Sequence, residues 1–491
     1  MPGSYVLEVD WDGDGAFGPG DDVTQDVISI ECSRGRDHAS QLAGRASAGR
    51  LRATLLNDDG TYSPFNTASP LYGRMLPGRL VRLRATAPVA VTIWTGYLDT
   101  IEPGVRRAGE VPTAILTALG PFSRLAATDI SLAPQQNVAT GTAVNAVLDA
   151  VGWPATLRQV DPGKTVLTVW WPGKGASALA ALRKLEDQEM GFLYEGEDGS
   201  IVFEDRHHRL KADHLTSQAT FSDDPGAPLC YSSIQELDPL RDIYNSATLD
   251  VVTYTQQPEA VLWQASAVPI SVQPQASVEL WATYQGEGFV AAWADPVLGS
   301  DIVVSGVPSG DITITTSKFA DAMKIVVHNN NTRQVASIDQ ARARGTAMVP
   351  GDPTVVRHTD AASEGRYGRR RWTFEGDFYG DRNLAQDLAR YIVAKYRDPI
   401  PLLVMTLPAS ASDALLSQAL QRRISDRITV VATGVGTQMG ISGDFWIEAI
   451  EHRIGPGRRH ETLWRLSDAA AESGWWVLGS SALGQTTKLA V

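Results

Sequence analysis

Near the start of the chain, Asp10, Asp12 and Asp14 stand at alternate positions, Gly15 follows, and Asp21 closes the span. A calcium loop needs carboxylates at its first, third and fifth places, a glycine at the sixth for the sharp turn, a carbonyl at the seventh and an acid at the twelfth. The carbonyl of Ala16 falls at the seventh place, and Phe17 supplies an apolar anchor beside it. The last place departs from the usual pattern, because Asp21 replaces a longer bidentate glutamate. The competing reading is an acidic hairpin loop held by Asx turns, since Asp and Gly are common turn residues. The flanks Tyr5–Val9 and Val27–Ile30 are β-rich, so the expectation is a Ca²⁺ loop on a β scaffold without EF-hand helices.

Other residues with chemical potential form weaker patterns. Glu204 and the run Asp205-Arg206-His207-His208-Arg209 hold the only histidine cluster. Neighbours on a strand point to opposite faces, so His207 and His208 do not share an ion there, and a solvated, charged strand end is expected. Glu186, Asp187 and Glu189 would suit a glycosidase couple, but they are expected on the exposed side of a leucine-faced helix. No Gly-x-Ser-x-Gly elbow and no glycine-rich phosphate loop before a helix occurs, so catalysis has no support in the sequence. Trp170-Trp171 reads as core packing. Trp475, Trp476, Leu478 and Leu483 sit in a Gly/Ser-rich tail and read as a contact with a partner. Cys32 and Cys230 lack metal-ligand spacing and are expected as buried free thiols.

Positioning these groups takes several modules, because 491 residues exceed what one core organises. The content of 43% hydrophobic and 20% charged residues is that of a folded soluble protein, with no run long enough to span a membrane. Met1-Pro2-Gly3-Ser4 has neither a basic region nor an apolar core, so no secretory signal is expected. A formal charge of −13 argues against tightly held nucleic acid, yet suits a conduit through which DNA passes without sticking. The fold class expected is mainly β with α+β modules. Residues 1–125 read as a β-barrel carrying the acidic loop, and 126–213 as a small α/β domain. Within the latter, a helix from Ser177 to Met190 has Ser177 as cap and Gly191 as stop, and a hairpin follows it. Residues 214–267 with 349–470 read as a second barrel with a helical segment, Pro350 to Arg371 being a loop. Residues 268–348 read as an inserted β-sandwich, and 471–491 as an interaction tail.

Four segments stand out in order along the chain: Val9–Gly15 with Asp22-Val23-Thr24; Leu56–Pro64 with Leu76–Arg79; Gly443–Ile447 with Glu451-His452; and Trp476–Gly479 with Leu483–Leu489. In these the chain resembles the hub proteins of phage tail tips, among them the minor tail proteins of long-tailed phages. The resemblance implies a homotrimer in which two hub barrels per chain form a pseudo-sixfold ring at the distal end of the tail tube. The implied partners are a distal tail ring protein, a tape-measure protein and a fibre or spike protein, with DNA in transient passage and no specific nucleic-acid binding. The implied place is the virion's tail tip, assembled in the host cytoplasm, and the implied role is structural rather than enzymatic. The alternative is a virion-associated cell-wall hydrolase or carbohydrate-binding protein. A secreted adhesin is disfavoured by the missing signal. The inserted sandwich is not covered by the resemblance.

Overall fold

The computed structural model describes residues 4–36, 45–104, 110–237, 243–286, 288, 290–379, 382–400, 402–434 and 439–469. Its largest sheet has twelve strands, numbered here β1 (Ser4–Val9), β2 (Val27–Gly35), β3 (Arg50–Leu56), β4 (Leu80–Ala87), β5 (Val91–Gly104), β6 (Thr113–Leu119), β7 (Thr220–Ser222), β8 (Ser233–Leu237), β9 (Leu402–Leu407), β10 (Arg427–Ala432), β11 (Ile441–Ile454) and β12 (His460–Asp468).

The first six strands lie in the order β1-β4-β5-β6-β3-β2 and the last six in the order β7-β10-β11-β12-β9-β8, which is the same order shifted by six. Every pairing within the halves is antiparallel except β7 with β10, which is parallel. The two β-domains expected from the sequence are therefore joined, because β2 pairs with β11 and makes their strands one sheet.

Alternation along each strand explains the cores. On β3, Leu51, Ala53 and Leu55 are fully buried while Arg50 and Arg52 face outward, and on β4 Val81, Leu83 and Ala85 are buried while Arg82 and Arg84 reach Glu8. The first-half core also takes Leu416, Ala419 and Leu420 from the helix Asp413–Gln421, which lies in sequence between β9 and β10. The halves are thus interlocked by a helix as well as by strand pairing. The second-half core, with Phe221, Leu403, Val430, Ile447 and Trp464, is continuous with the helices Thr140–Ala150 and Ala178–Glu189.

The helix Ala178–Glu189 starts where the sequence placed it, with the Ser177 side chain accepting from Ala180 N at 3.2 Å. Its left-handed terminal residue is Met190 (φ 53°) rather than Gly191. The expected hairpin is present as Phe192–Glu195 against Ile201–Glu204.

Three expectations need correction. Residues 350–371 are not a loop: Thr354–Thr359 is a strand and Ala361–Tyr367 a helix capped by Asp360. These residues, Ser246–Val252 and Arg371–Tyr379 form a separate three-stranded sheet covered by the helix Arg382–Tyr396, with its own core around Leu249, Val356 and Ile392. Part of the segment expected in the second barrel therefore folds apart from it, because its apolar faces close on each other. The sandwich begins earlier than 268, since Tyr254–Gln256 and Ala260–Gln264 pair with its longest strand, Ala336–Pro350. Its second sheet, Ser277–Thr283, Ile312–Lys318 and Ala322–Asn329, closes the core.

Candidate functional site

The junction between the halves is built on one strand. β11 runs 14 residues with β12 along one side. On its other side its first part pairs with β10, from Ile441 to Trp446, and its last part with β2, from Ala449 to Ile454. A bulge lies where the neighbour changes, between Ile447 and Ala449, and Glu448 is its extra residue. Gly35 packs against it in a left-handed conformation (φ 107°), and a Cβ there would come 2.4 Å from the Glu448 carbonyl oxygen.

Glu448 is wholly buried and fully engaged. Arg36 donates from Nε at 2.9 Å, Arg209 from Nη1 and Nη2 at 2.7 and 3.0 Å, and Ser467 from Oγ at 2.5 Å. Burial raises its pKa, but the guanidinium charges of Arg209 and Arg36 outweigh that and hold it down at about 2. Two arginines, one directly after β2 and one from the 3-10 turn His208–Leu210 that leads out of the α/β module, thus share one carboxylate, a charge-assisted clamp whose geometry fixes register.

Beside it lies a neutral polar cluster. Tyr5 Oη meets His460 Nδ1 at 2.8 Å, and His460 Nε2 meets His452 Nδ1 at 3.0 Å, with Thr462 Oγ1 at 3.2 Å from both rings. Burial pushes His460 down to about 4, and burial with the neighbouring His460 and Arg34 holds His452 well below its ordinary value. Cys32, opposite His452 in the β2–β11 register, is a buried free thiol pushed up to about 12 by burial. Cys230 is also free but only half-buried.

The small α/β module is tied on by Glu195, which accepts from Gly49 N and Phe122 N, both at 2.5 Å. Burial raises its pKa to about 7. Gly120 is needed here, since a Cβ would lie 2.1 Å from a Glu195 oxygen.

The acids nominated for glycoside cleavage are not on an exposed helix face. Glu186 and Glu189 are completely buried. Glu186 accepts from Arg183 Nη1 at 2.6 Å and Leu193 N at 2.8 Å, and Glu189 from Thr140 Oγ1 at 2.6 Å, Lys164 N at 3.0 Å and Thr165 N at 2.9 Å. Leucine periodicity mispredicted them because charged residues face inward here with partners from other segments. Asp187 remains partly exposed and pairs with Arg45. The histidine run is likewise no solvated strand end. His208 begins a 3-10 turn, meets Asp161 Oδ2 at 2.6 Å and lies tilted against the His214 ring with centroids 5.0 Å apart. Glu204 accepts from Tyr194 at 2.7 Å and Ser425 at 2.6 Å. Trp170 is core, as expected, while Trp171 is half-buried against Tyr254.

The acidic loop sits between β1 and β2. One oxygen each of Asp10, Asp12 and Asp14 fall within 4.8 Å of one another. Asp10 is buried and accepts from Gly13 N (2.6 Å) and Gly15 N (3.0 Å), while Asp14 accepts from Ala16 N (2.8 Å). Asp21 does not join the cluster: its oxygens accept from Trp11 N (3.1 Å) and Gly18 N (2.7 Å), which shapes the loop from outside. Trp475, Trp476, Leu478 and Leu483 lie outside the described residues.

No family model and no curated protein matches this sequence. Solved structures do. The tail protein from Neisseria meningitidis MC58 aligns with TM-score 0.52 and 10% identity over 95% of this chain and 98% of that one. The 43 kDa tail protein of prophage MuSo2 from Shewanella oneidensis aligns with TM-score 0.51 and 12% identity over 95% and 99%. The chain has the fold of phage tail proteins. At 95% of this chain the alignments extend beyond the twelve-stranded sheet. None of the described helices is long and apolar enough to cross a membrane.

Proposed function

We propose that this chain is a structural hub of a phage tail tip, a homotrimer that closes the distal tail tube and lets DNA pass. The observation that carries the reading is the end-to-end fold match to two tail proteins, 95% of this chain in each case. The repeated strand order supports it, since two like halves per chain supply six quasi-equivalent positions in a ring of three. A distal ring protein and the tape-measure protein bind above and a fibre or spike below. The role is non-enzymatic: the buried acids of the α/β module are occupied by backbone and arginine donors, the pattern of structural carboxylates. The acidic balance suits a channel wall that does not retain DNA.

Two accessory roles belong to this reading. The acidic loop takes Ca²⁺ through Asp10, Asp12, Asp14 and the Ala16 carbonyl, with Asp21 orienting the loop. Trp475, Trp476, Leu478 and Leu483 dock on a neighbouring subunit. Labelling of intact virions with an antibody against the chain tests the placement. Label confined to the distal tail end is expected; label on the capsid or along the tail shaft refutes the hub reading.

A further inference from the structure

The two halves share more than strand order. β5 and β11 hold the same place in their halves, both are 14 residues long, and each carries one bulge against the next strand. The bulge in β5 falls between Leu98 and Thr100, so Asp99 stands where Glu448 stands in β11. With the bulges aligned, Tyr97-Leu98-Asp99-Thr100-Ile101-Glu102 matches Trp446-Ile447-Glu448-Ala449-Ile450-Glu451, residue type for residue type except Thr for Ala. Following the pairings outward places Leu51 on Leu403, Thr54 on Thr406, Leu55 on Leu407, and Ser29-Ile30-Glu31 on Ser233-Ile234-Gln235. β8 is therefore the counterpart of β2.

This equivalence has a geometric consequence. Within the chain, the edge of β11 beyond its bulge is covered by β2. The matching edge of β5 pairs with Arg79 and Gly78 only as far as Leu98. Beyond it, among the described residues, β5 pairs with β6 alone, and Asp99, Thr100, Glu102, Pro103 and Gly104 are exposed. A Cβ on Gly104 would meet nothing within 4 Å. On the other half, among the described residues, β8 pairs with β9 alone, and Ser233, Gln235 and Glu236 are exposed. One chain thus presents both members of a contact that it makes once internally. Among the described residues these two edges do not pair with each other, which leaves each open to a second copy.

We propose that β8 of one copy pairs antiparallel with the free edge of β5 in the next copy, repeating between chains the β2–β11 contact made within each chain. Such a contact is head-to-tail, and repetition of it builds a ring. The number three rests on the hub reading above; the surfaces and their register do not. Transfer of the internal register sets Gln235 opposite Gly104, Glu236 opposite Pro103 and Leu237 opposite Glu102. Pro103 replaces His452 and has no N–H to donate, so the contact between chains is weaker than the internal one. That suits a joint made on assembly, and the same proline blunts the edge against indiscriminate pairing.

Cysteine cross-linking of the full chain tests this, in a Cys230→Ser background. Directly opposite residues on paired strands have Cβ atoms about 4.5–5.5 Å apart, which a small backbone adjustment brings into disulfide range, whereas residues three positions off lie well beyond it. The Pro103→Cys/Glu236→Cys double variant is expected to give an oxidised ladder ending at the full ring, with neither single variant cross-linking. The offset pair Thr100→Cys/Glu236→Cys is expected to give none. Dimers from either single variant, or equal cross-linking of the offset pair, overturn the proposal. A chain of trimeric mass whose double variant does not cross-link overturns this interface and leaves the hub reading standing. A chain that stays monomeric and uncross-linked overturns both.

Discussion

Replacing Glu448 by glutamine keeps the side-chain volume and removes one charge. It leaves Arg36 and Arg209, with side chains 4% and 11% exposed, crowded at the bulge without a counter-ion. Breaking a buried ion pair by removing one partner costs about 3–5 kcal/mol. The depressed pKa gives the same scale independently, since a fall from 4.5 to about 2 corresponds to roughly 3 kcal/mol. The sign follows from the direction of the shift. The carboxylate's contribution is complete above the unfolded value near 4.5 and is lost as pH falls toward 2. Amide hydrogen exchange of β2 and β11 reads the effect locally. At pH 7 the variant is expected to lose protection there by about a hundredfold, since 1.4 kcal/mol is a factor of ten. Urea unfolding at pH 2 is expected to show wild type and variant equally stable. A loss of less than about tenfold at pH 7, on that same conversion, refutes the account of the junction as a charge clamp.

Three further outcomes can be measured. His460, pushed down to about 4, gives stability that is complete above pH 6.5 and lost as pH falls through 4, so wild-type junction protection should decline over that window and His460→Gln should flatten the slope; an unchanged slope contradicts it. Calcium should raise the melting temperature and Asp12→Ala should abolish the gain, whereas calorimetry showing no heat of binding at millimolar Ca²⁺ leaves the loop an Asx-rich turn. Removing residues 471–491 should leave the chain folded by circular dichroism while weakening assembly; normal assembly, or failure to fold, removes the tail from the account.

The strands were legible because their periodicity is strong. Leu51-Arg52-Ala53-Thr54-Leu55 and Leu80-Val81-Arg82-Leu83-Arg84 alternate cleanly, and the structure buries the expected faces. The helix ending at Glu189 was legible through its serine cap, but the burial of Glu186 and Glu189 was not. Their partners Leu193, Thr140 and Lys164 come from other segments, and nothing local in the sequence marks an inward charge. The strand and helix within 350–371 were hidden by the Gly, Pro and Arg content that suggested a loop. The junction was missed for a different reason. Glu448 reads as an ordinary outward residue of an alternating strand, and only the bulge turns it into the core. One sequence signal was available: the likeness of Tyr97–Glu102 to Trp446–Glu451, separated by most of the chain, points to paired halves and to a special place for Asp99 and Glu448.

The central claim, a ring-forming hub at the end of a tail, is tested most directly by cryo-electron microscopic reconstruction of the tail tip. The account predicts three copies of this chain around an axial channel, six β halves in one ring, and a channel wall neutral to negative. A single copy at the side of the tail, a ring of six copies, or a channel lined by arginines would contradict it.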